Sequence, residues 1–339
     1  MGNKIIRTIC CFSHDPSEET LRRLGEIENV LKDRGFEIQT KRICSNGKTF
    51  QDLGQSVKDE SILLNIGTIP MDEAKKQMGH FLGAEKGISF NVDLTSEEIN
   101  TEHAELLFEI IKGNSARTFQ FSYVFNDSPS SPYFPSATYE KEGFSIGLQP
   151  NDLADGCNSL EEWFNRMKDI WDEIDGLFGQ DKDYLGIDSS IAPLFEGKSS
   201  LINFIKAMRP SFNDSVVSDV YMRITKFIKE SNPKPIGLCG LMFPCLEDFE
   251  LAQEYEKGNF SIERNIFLSL HSGLGIDTYP IGVDEELGKV VDILKTIQGL
   301  SNKYKKPLSA RFVSDGKAKI GEKTDFMNQY LKDVIIRKL

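Results

Sequence analysis

The chain has 339 residues, of which 39% are hydrophobic and 27% are charged, and its formal net charge is −12. A chain of this length and composition is typical of a globular protein that buries a sizeable core without disulfides. The negative charge excludes nucleic acid as an expected partner, because binding phosphates requires clustered Lys and Arg. No apolar run is long enough to span a membrane, so we expect no membrane partner either.

The chain carries signals of a reducing compartment. Its N-terminal stretch, MGNKIIRTICCF, lacks the pattern of a secretory signal peptide. Its cysteines lack the CxxC spacing that is typical of metal ligands, so we expect a cytoplasmic protein with reduced, buried thiols. The six cysteines are Cys10, Cys11, Cys44, Cys157, Cys239 and Cys245.

The first part of the chain alternates β-branched apolar runs with segments of helical periodicity. KIIRTICCF is predicted to be a buried strand, and Asp15-Pro16 begins a helix that ends at Gly35. Further strands are predicted over FEIQTKRIC, SILLNIG, GISFNVDL and RTFQFSYVF, with a helix over SEEINTEHAELLFEIIKG.

A loop at 126–137 with three prolines precedes the predicted strand GFSIGLQP. Loops of this length inside a compact domain are more often functional than idle. Beyond it, helices are predicted over SLEEWFNRMKDIWDEIDGLFG, 199–230, LEDFELAQEYEKG, SIERNIFLSLHSG, EELGKVVDILKTIQGLSNKY and near 324–335. Strands are predicted over KPIGLCG and LSARFVS, and GIDTYPIG is predicted to be a loop.

Strands that alternate with helices predict an α/β fold with a mainly parallel sheet or barrel. No linker-like or low-complexity segment divides the chain, so we expect a single large domain over 1–339. The size of the chain and the aromatic residues at 133–139 and 163–171, which we expect to be exposed, favour a homo-oligomer.

Two stretches repeat one pattern, GIDSS at 186–190 and GIDT at 275–278. Because loops at the carboxyl ends of parallel strands converge, Asp188 and Asp277 are predicted to face one cavity and are candidates for catalysis. With Glu247 and Asp248 they could bind a divalent cation, Mg²⁺ or Ca²⁺, since these ions prefer carboxylate oxygens. The alternative is that each acid caps the turn or helix that follows it.

Other residues have the chemistry of a binding or catalytic site. His271 lies beside a glycine-rich loop, which makes it a candidate acid or base. Arg7 and Arg311 lie in predicted buried strands, where a guanidinium needs an acidic partner or an anionic ligand. Each arginine could instead pair with Asp188 or Asp277 within the fold.

The chain resembles an uncharacterised, PFL-like family, named domain of unknown function 711. The segments that carry the resemblance are IRTI near the start, SPYFP (131–135), LGIDSSIAP (185–193), GLCGLMFPCLED (237–248), SGLGIDTYPIG (272–282) and NKYKKPLSARFVSDGKAKIGEKTDF (302–326). The resemblance covers nearly the whole chain and is densest after residue 184. It implies a PFL-like α/β barrel related to the glycyl radical enzymes, pyruvate formate-lyase and anaerobic ribonucleotide reductase.

The chain departs from the chemistry of those enzymes. The family loop usually has a cysteine before the serine, whereas this chain has His271 before Ser272. Gly316 is the nearest equivalent of the radical glycine, and no motif marks a thiol for the relay, for which Cys239 and Cys245 are guesses. No glycyl radical is therefore expected.

The resemblance also implies that a set of shared residues lines the barrel mouth: Asp188, Ser189, Ser190, Glu247, Asp248, Gly275, Asp277 and Arg311. We expect a small anionic metabolite to bind there, in an enzyme without radical chemistry. The alternative is a non-catalytic barrel that serves as a homo-oligomeric binding or assembly module. The expected ligand-binding residues are Arg7, Asp188, Ser189, Ser190, Ser272, Gly275, Thr278 and Arg311, beside the acids Glu247, Asp248 and Asp277.

Overall fold

A computed structural model describes residues 3–339 of the chain. Its strands join into one ten-stranded sheet. The strands are Ile5–Phe12 (β1), Glu37–Ile38 (β2), Lys41–Cys44 (β3), Ile62–Thr68 (β4), Ile88–Asp93 (β5), Phe121–Phe125 (β6), Gly143–Leu148 (β7), Tyr184–Asp188 (β8), Gly275–Pro280 (β9) and Leu308–Val313 (β10).

The sheet has two groups of strands that run in opposite directions. The spatial order is β8-β7-β1-β3-β4-β5-β6-β10-β9, with β2 paired to β1. Strands β1 to β6 are mutually parallel. Strand β7 is antiparallel to β1, and β10 is antiparallel to β6, while β8 and β9 run parallel to β7 and β10. The predicted α/β class is confirmed, but the continuous ladder has two ends, β8 and β9, and is not closed.

A segment without regular structure, residues 235–248, lies between those two ends. It forms isolated bridges to the β8 side, such as Ile191 with Leu241. It also forms bridges to the β9 side, where Leu241 pairs with Gly273 and Pro244 with Asp277. The predicted strand over KPIGLCG is wrong, because single bridges replace a continuous ladder there.

Eleven helices cover the sheet within residues 3–339. The first begins after Ser17, which forms a capping box with Thr20, rather than at the predicted Asp15-Pro16. The helices are Glu18–Lys32 (α1), Phe50–Ser56 (α2), Met71–Gly83 (α3), Thr101–Asn114 (α4), Leu160–Phe178 (α5), Leu201–Met208 (α6), Phe212–Val216 (α7), Val220–Glu230 (α8), Phe249–Glu256 (α9), Ile262–His271 (α10) and Leu287–Tyr304 (α11).

Two further predictions about local structure are wrong. GIDTYPIG is not a loop, because its first six residues form β9 and pair with β10. No helix forms near 324–335, where Thr324 and Val334 exchange backbone and side-chain hydrogen bonds instead.

The hydrophobic core extends along the whole chain, consistent with a single domain. One cluster of buried side chains runs from Ile6 on β1 to Leu339. Trp163 and Trp171 are completely buried in it, and Tyr133 is 6% exposed. The expectation that the aromatic residues at 133–139 and 163–171 are exposed is therefore wrong for these three, since both tryptophans pack in the core and Tyr133 is buried beside the cavity. None of the helices in the described part of the chain is long and apolar enough to cross a bilayer.

Candidate functional site

A cavity of about 600 Å³ is lined by residues of the sheet and of the segments that connect its strands. Thr40, Ser61, Gly87 and Gln120 line it, and each directly precedes one of the strands β3 to β6. The cavity therefore lies at the amino ends of these strands, not at their carboxyl ends as predicted. The reason is the reversal of β7 to β10, which places the segment after β8, including Phe195, on the same side.

The proline-containing loop after β6 packs against β4 and β5 and forms one wall of the cavity. Tyr133, Phe134, Pro135 and Ser136 line the cavity, and the expectation that this loop is functional stays a prediction. Buried loop carbonyls need donors, because water does not reach them.

Two asparagines of neighbouring strands supply donors to that loop. Asn65 Nδ2 donates to the carbonyl of Pro135 at 3.0 Å. Asn91 Nδ2 donates to Pro135 at 3.0 Å and to Ala137 at 3.1 Å. Both asparagines are completely buried, and their hydrogen bonds fix the loop to one face of β4 and β5.

Arg42 on β3 is a buried cation in the cavity wall. Its Nη1 donates to the carbonyl of Pro132 at 3.2 Å and its Nε donates to Thr40 Oγ1 at 3.2 Å. Its guanidinium lies 5.0 Å from the centre of the Phe134 ring. No Asp or Glu among the described residues forms an ion pair with it, and burial, followed by the charge of Arg7, lowers the pKa of Arg42 to about 10.

Arg7 on β1 is a second cation without an acidic partner among residues 3–339. It lines the cavity beside Arg42, is half-buried, and donates through Nη1 to Gln39 Oε1 at 3.1 Å. The exposed Glu37 also lines the cavity but forms no ion pair with either arginine. Sequence reasoning found Arg7 and missed Arg42, although both lie in strands among apolar residues.

Arg311 on β10 lies between two carboxylates of the cavity. Its Nε is 2.7 Å and its Nη2 is 2.6 Å from Asp277 Oδ1, and Nη2 is 3.3 Å from Glu247 Oε2. Burial opposes the charge of Arg311, but the two carboxylates outweigh it and raise its pKa. Burial raises the pKa of Glu247, and Arg311 acts in the opposite direction. The predicted pairing of Arg311 with Asp277 is present, and Glu247 joins it.

Asp188 lies outside this cavity. Its Oδ1 accepts hydrogen bonds from the Ser190 N–H and hydroxyl and from the Cys239 N–H. Its Oδ2 accepts from the Ser131 hydroxyl and the Leu238 N–H. The prediction that Asp188 and Asp277 face one cavity is wrong, because the donors of three segments surround Asp188 completely.

The serines after Asp188 also bond within the fold. Ser189 Oγ donates to the carbonyl of Ile228 at 2.9 Å and accepts from Asn232. Ser190 Oγ, besides donating to Asp188, accepts from the Gly240 N–H at 3.2 Å. Neither serine lines the cavity.

Asp248 caps two helices at once. Its Oδ1 accepts from Ser200 Oγ at 2.6 Å and from the Leu251 N–H of α9. Its Oδ2 accepts from the N–H groups of Leu201 and Ile202 at the start of α6. Burial raises the pKa of Asp248 to about 7, against the hydrogen bonds it accepts.

The four acids predicted to bind a cation are thus not assembled into one site. Within residues 3–339, no group of three or more His, Cys, Asp or Glu side chains is placed to hold a metal ion. Only Glu247 and Asp277 share the cavity, and Arg311 already lies between them.

The remaining predicted residues divide between the cavity and the core. Gly275 lines the cavity, whereas Thr278 is buried away from it with an unpaired hydroxyl. His271 is the last residue of α10, and its Nδ1 lies 2.8 Å from Ser272 Oγ. Burial, then the charge of Lys306, lowers the pKa of His271, which does not line the cavity.

The repeated Gly-Ile-Asp pattern has a backbone origin. Gly186 has φ +150° and Gly275 has φ +102°. A Cβ atom would lie 2.3 Å from the carbonyl of Lys234 at the first and 2.1 Å from that of Ser309 at the second. Each glycine permits the close approach of a neighbouring segment, so the two acids have similar surroundings in sequence but different roles.

The sequence profile of the family described as "Uncharacterised ACR (DUF711)" matches residues 83–328, well over half of the chain. The chain belongs to the DUF711 family. The suspected resemblance is therefore confirmed. No curated protein sequence matches the chain.

The DUF711 match divides the charged residues of the cavity. Glu247, Asp277 and Arg311 lie within the matched residues, as does the loop that forms the inner wall. Arg7 and Arg42 precede residue 83 and lie outside the match. The two cations without acidic partners therefore come from the N-terminal strands.

Proposed function

We propose that this chain is an enzyme that binds a small anionic metabolite in the cavity and acts without glycyl radical chemistry. The observation that carries the proposal is the pair of cations, Arg42 and Arg7, that line the cavity without ion-pair partners in the described part of the chain. They stand out because the chain as a whole carries a net charge of −12.

A buried guanidinium without a carboxylate is costly. The penalty for burying an unpaired ion in a protein is several kcal/mol, even after relaxation. The carbonyl of Pro132 and the ring of Phe134 offset only part of this penalty for Arg42. A carboxylate or phosphate in the cavity would supply the missing charge, and its oxygens would accept hydrogen bonds from the planar donor fork of the guanidinium.

The size and lining of the cavity favour an organic anion over an inorganic one. Its volume of about 600 Å³ lies within the usual range for small-molecule sites. Aromatic and aliphatic side chains, including Phe134, Phe195 and Leu238, occupy much of the wall. We therefore expect a carboxylate or phosphate attached to a partly apolar body. A divalent cation has less support, because Arg311 already lies between Glu247 and Asp277, the two carboxylates it contacts in the cavity.

We further propose that the fold is a barrel of the PFL type. Two oppositely directed groups of strands and the bridges of residues 235–248 to both ends of the ladder support this proposal. No cysteine lines the cavity within residues 3–339, which favours chemistry other than a thiol-mediated radical. The six cysteines are free, which favours a cytoplasmic location.

The second candidate is a non-catalytic, homo-oligomeric module. One face of α10 favours it, because Phe267 and Leu270 lie three residues apart and are 43% and 38% exposed. Light scattering of the wild type against Phe267→Ser tests it, since a smaller particle for the variant is expected if this face joins copies. Equal particle sizes would contradict the use of this face.

Thermal denaturation against a panel of ligands tests the binding proposal. The panel contains inorganic phosphate, sugar phosphates and mono- and dicarboxylates, with sodium chloride at equal ionic strength as the control. A ligand at a hundred times its Kd should stabilise the protein by about 2.7 kcal/mol. Arg42→Met should abolish the shift, whereas Arg34→Met, the same change at an exposed position, should retain it. An unchanged shift in Arg42→Met would contradict the proposed site.

A further inference from the structure

One guanidinium is shared by two carboxylates in the wall of the cavity. Both close contacts of Arg311 to Asp277, at 2.7 and 2.6 Å, involve the same oxygen, Oδ1. The contact to Glu247 is longer, at 3.3 Å. With Asp277 ionised, the pair with Arg311 is neutral, and an ionised Glu247 would add an excess negative charge to a buried place.

A proton on Glu247 would remove that excess negative charge. Its side chain is 8% exposed, against 15% for Asp277. Its Oε1 accepts no hydrogen bond from the described residues. This oxygen is not among the fully buried unpaired atoms, and Glu247 lines the cavity. Oε2 thus accepts from Arg311, while Oε1 is available to form a hydrogen bond with a ligand.

The charges around Glu247 act in both directions. Burial raises its pKa most strongly, and Asp277 on β9 adds to the rise. Arg311 on β10, Arg7 on β1 and Arg42 on β3 act against the rise. An anion bound to Arg7 and Arg42 would offset part of the positive charge that lowers the pKa of Glu247, so this pKa would rise further.

We propose that Glu247 carries an exchangeable proton and is the acid–base group for the anionic substrate, with Arg311 as its positioning residue. This inference rests on the proposed function. In the forward step the O–H bond of Glu247 breaks and the proton bonds to an oxygen, nitrogen or carbon of the substrate. The carboxylate that remains is held by Arg311, and the reverse step restores the acid without any change of oxidation state.

The arrangement defines the class of substrate. One end must be a carboxylate or phosphate that Arg7 and Arg42 bind. A second group within reach of Glu247 must accept or release a proton, as a hydroxyl, carbonyl or amino group does. Hydroxy, oxo and amino acids and their phosphorylated relatives meet both conditions, and inorganic phosphate meets only the first.

Infrared difference spectroscopy of the ligand-free protein tests the proton on Glu247. The wild type should show a protonated-carboxyl band that is lost in Glu247→Gln, persists in the exposed control Glu109→Gln, and titrates above the ordinary Glu pKa of about 4.3. In D₂O the band should shift at once, because the cavity admits solvent. Absence of a band that depends on Glu247, or a band that D₂O does not shift, would overturn the proposal.

Binding of inorganic phosphate, measured by calorimetry, separates this inference from the proposed function. Where Glu247 is protonated, the wild type and Glu247→Gln should bind phosphate equally. At higher pH the ionised wild type should bind about fivefold more weakly than the variant. A ratio that does not change with pH would overturn the acid–base role. If neither protein binds phosphate or any organic anion, the proposed function fails, while the infrared result still decides whether Glu247 holds its proton.

Discussion

Ser131 donates a hydrogen bond of 2.7 Å to Asp188 Oδ2, which ties the loop that lines the cavity to the end of β8. The same carboxylate oxygen accepts from the N–H of Leu238, and Ser131 is completely buried. Asp188 thus joins the loop at 126–137, β8 and the segment 235–248 through hydrogen bonds outside the cavity. It contributes no group to the lining of the cavity.

Replacement of Asp188 by Asn should therefore lower stability. An amide can accept at only one of the two positions, so its NH₂ group would face the N–H of either Leu238 or Cys239. We expect the free energy of unfolding to fall by about 2–3 kcal/mol, the cost of an unsatisfied buried donor. Urea denaturation measures it, with the exposed Asp292→Asn as a control that should change little. Equal stability of the two variants would show that Asp188 acts only as a replaceable cap.

Replacement of Asp277 by Asn should remove the charge that faces Arg311 most closely and leave Glu247 as its remaining carboxylate partner among the described residues. Breaking a buried ion pair from one side costs about 3–5 kcal/mol, because a charge stays buried without compensation. Denaturation should show a loss near the lower end of that range. The matched control is Asp172→Asn, which breaks a pair with Lys168 whose side chains are 48% and 51% exposed, and should cost less than about 1 kcal/mol. Similar losses in both variants would contradict a special role for the buried pair.

The stability of the protein should depend on pH through Asp127. Burial raises the pKa of this residue to about 8, and its Oδ2 has no hydrogen-bond partner among the described residues. The unfolded chain releases the proton near about pH 3.9, so the native state holds one more proton between the two values. Stability should fall as pH rises through this window, by at most about 1.4 kcal/mol per unit.

Asp127→Asn removes this titrating group, so the free energy of unfolding of the variant should depend less on pH than that of the wild type. The variant should gain stability over the wild type as the pH approaches 8, because the wild type then buries a charge. Urea midpoints across the pH range measure the difference, with Asp292→Asn as a control that should follow the wild type. Parallel curves for Asp127→Asn and the wild type would contradict the assignment.

The same substitution at two glycines should have opposite effects. Gly275→Ala forces a side chain onto φ +102° and towards the carbonyl of Ser309, so we expect a loss of at least about 2 kcal/mol. Gly299 lies in α11 with open space around it, and Gly299→Ala should stabilise by about 1 kcal/mol. Thermal denaturation of both variants measures the effects, and a neutral Gly275→Ala would contradict the close approach of β9 and β10.

Local patterns predicted the elements whose causes are local. The strand KIIRTICCF and the helix over EELGKVVDILKTIQGLSNKY both form, because an apolar run and a helical period are visible within a few residues. GIDTYP was predicted to be a loop because of its Gly and Pro, yet it is a strand because β10 supplies its partners. The length of the loop at 126–137 led to the prediction that it is functional, but gave no sign that it packs against β4 and β5.

The candidate site was harder to predict, because it depends on which strands run in opposite directions. Arg311 and Asp277 were identified from their sequence context, and they meet because β9 and β10 are neighbours. Asp188 has the same local pattern as Asp277 but lies outside the cavity, because residues 235–248 supply donors to it. Pairings between distant segments leave no signal in the sequence near either residue.

The loop fixed by Asn65 and Asn91 separates the lining of the cavity from the pairing of the strands. Residues 133–136 contribute a contiguous part of the wall, while strand pairing involves none of them. Exchanges within those four positions can reshape the interior without disturbing the register of any strand. The sheet thus acts as a constant frame, and relatives that differ only in this loop would have cavities of different shape.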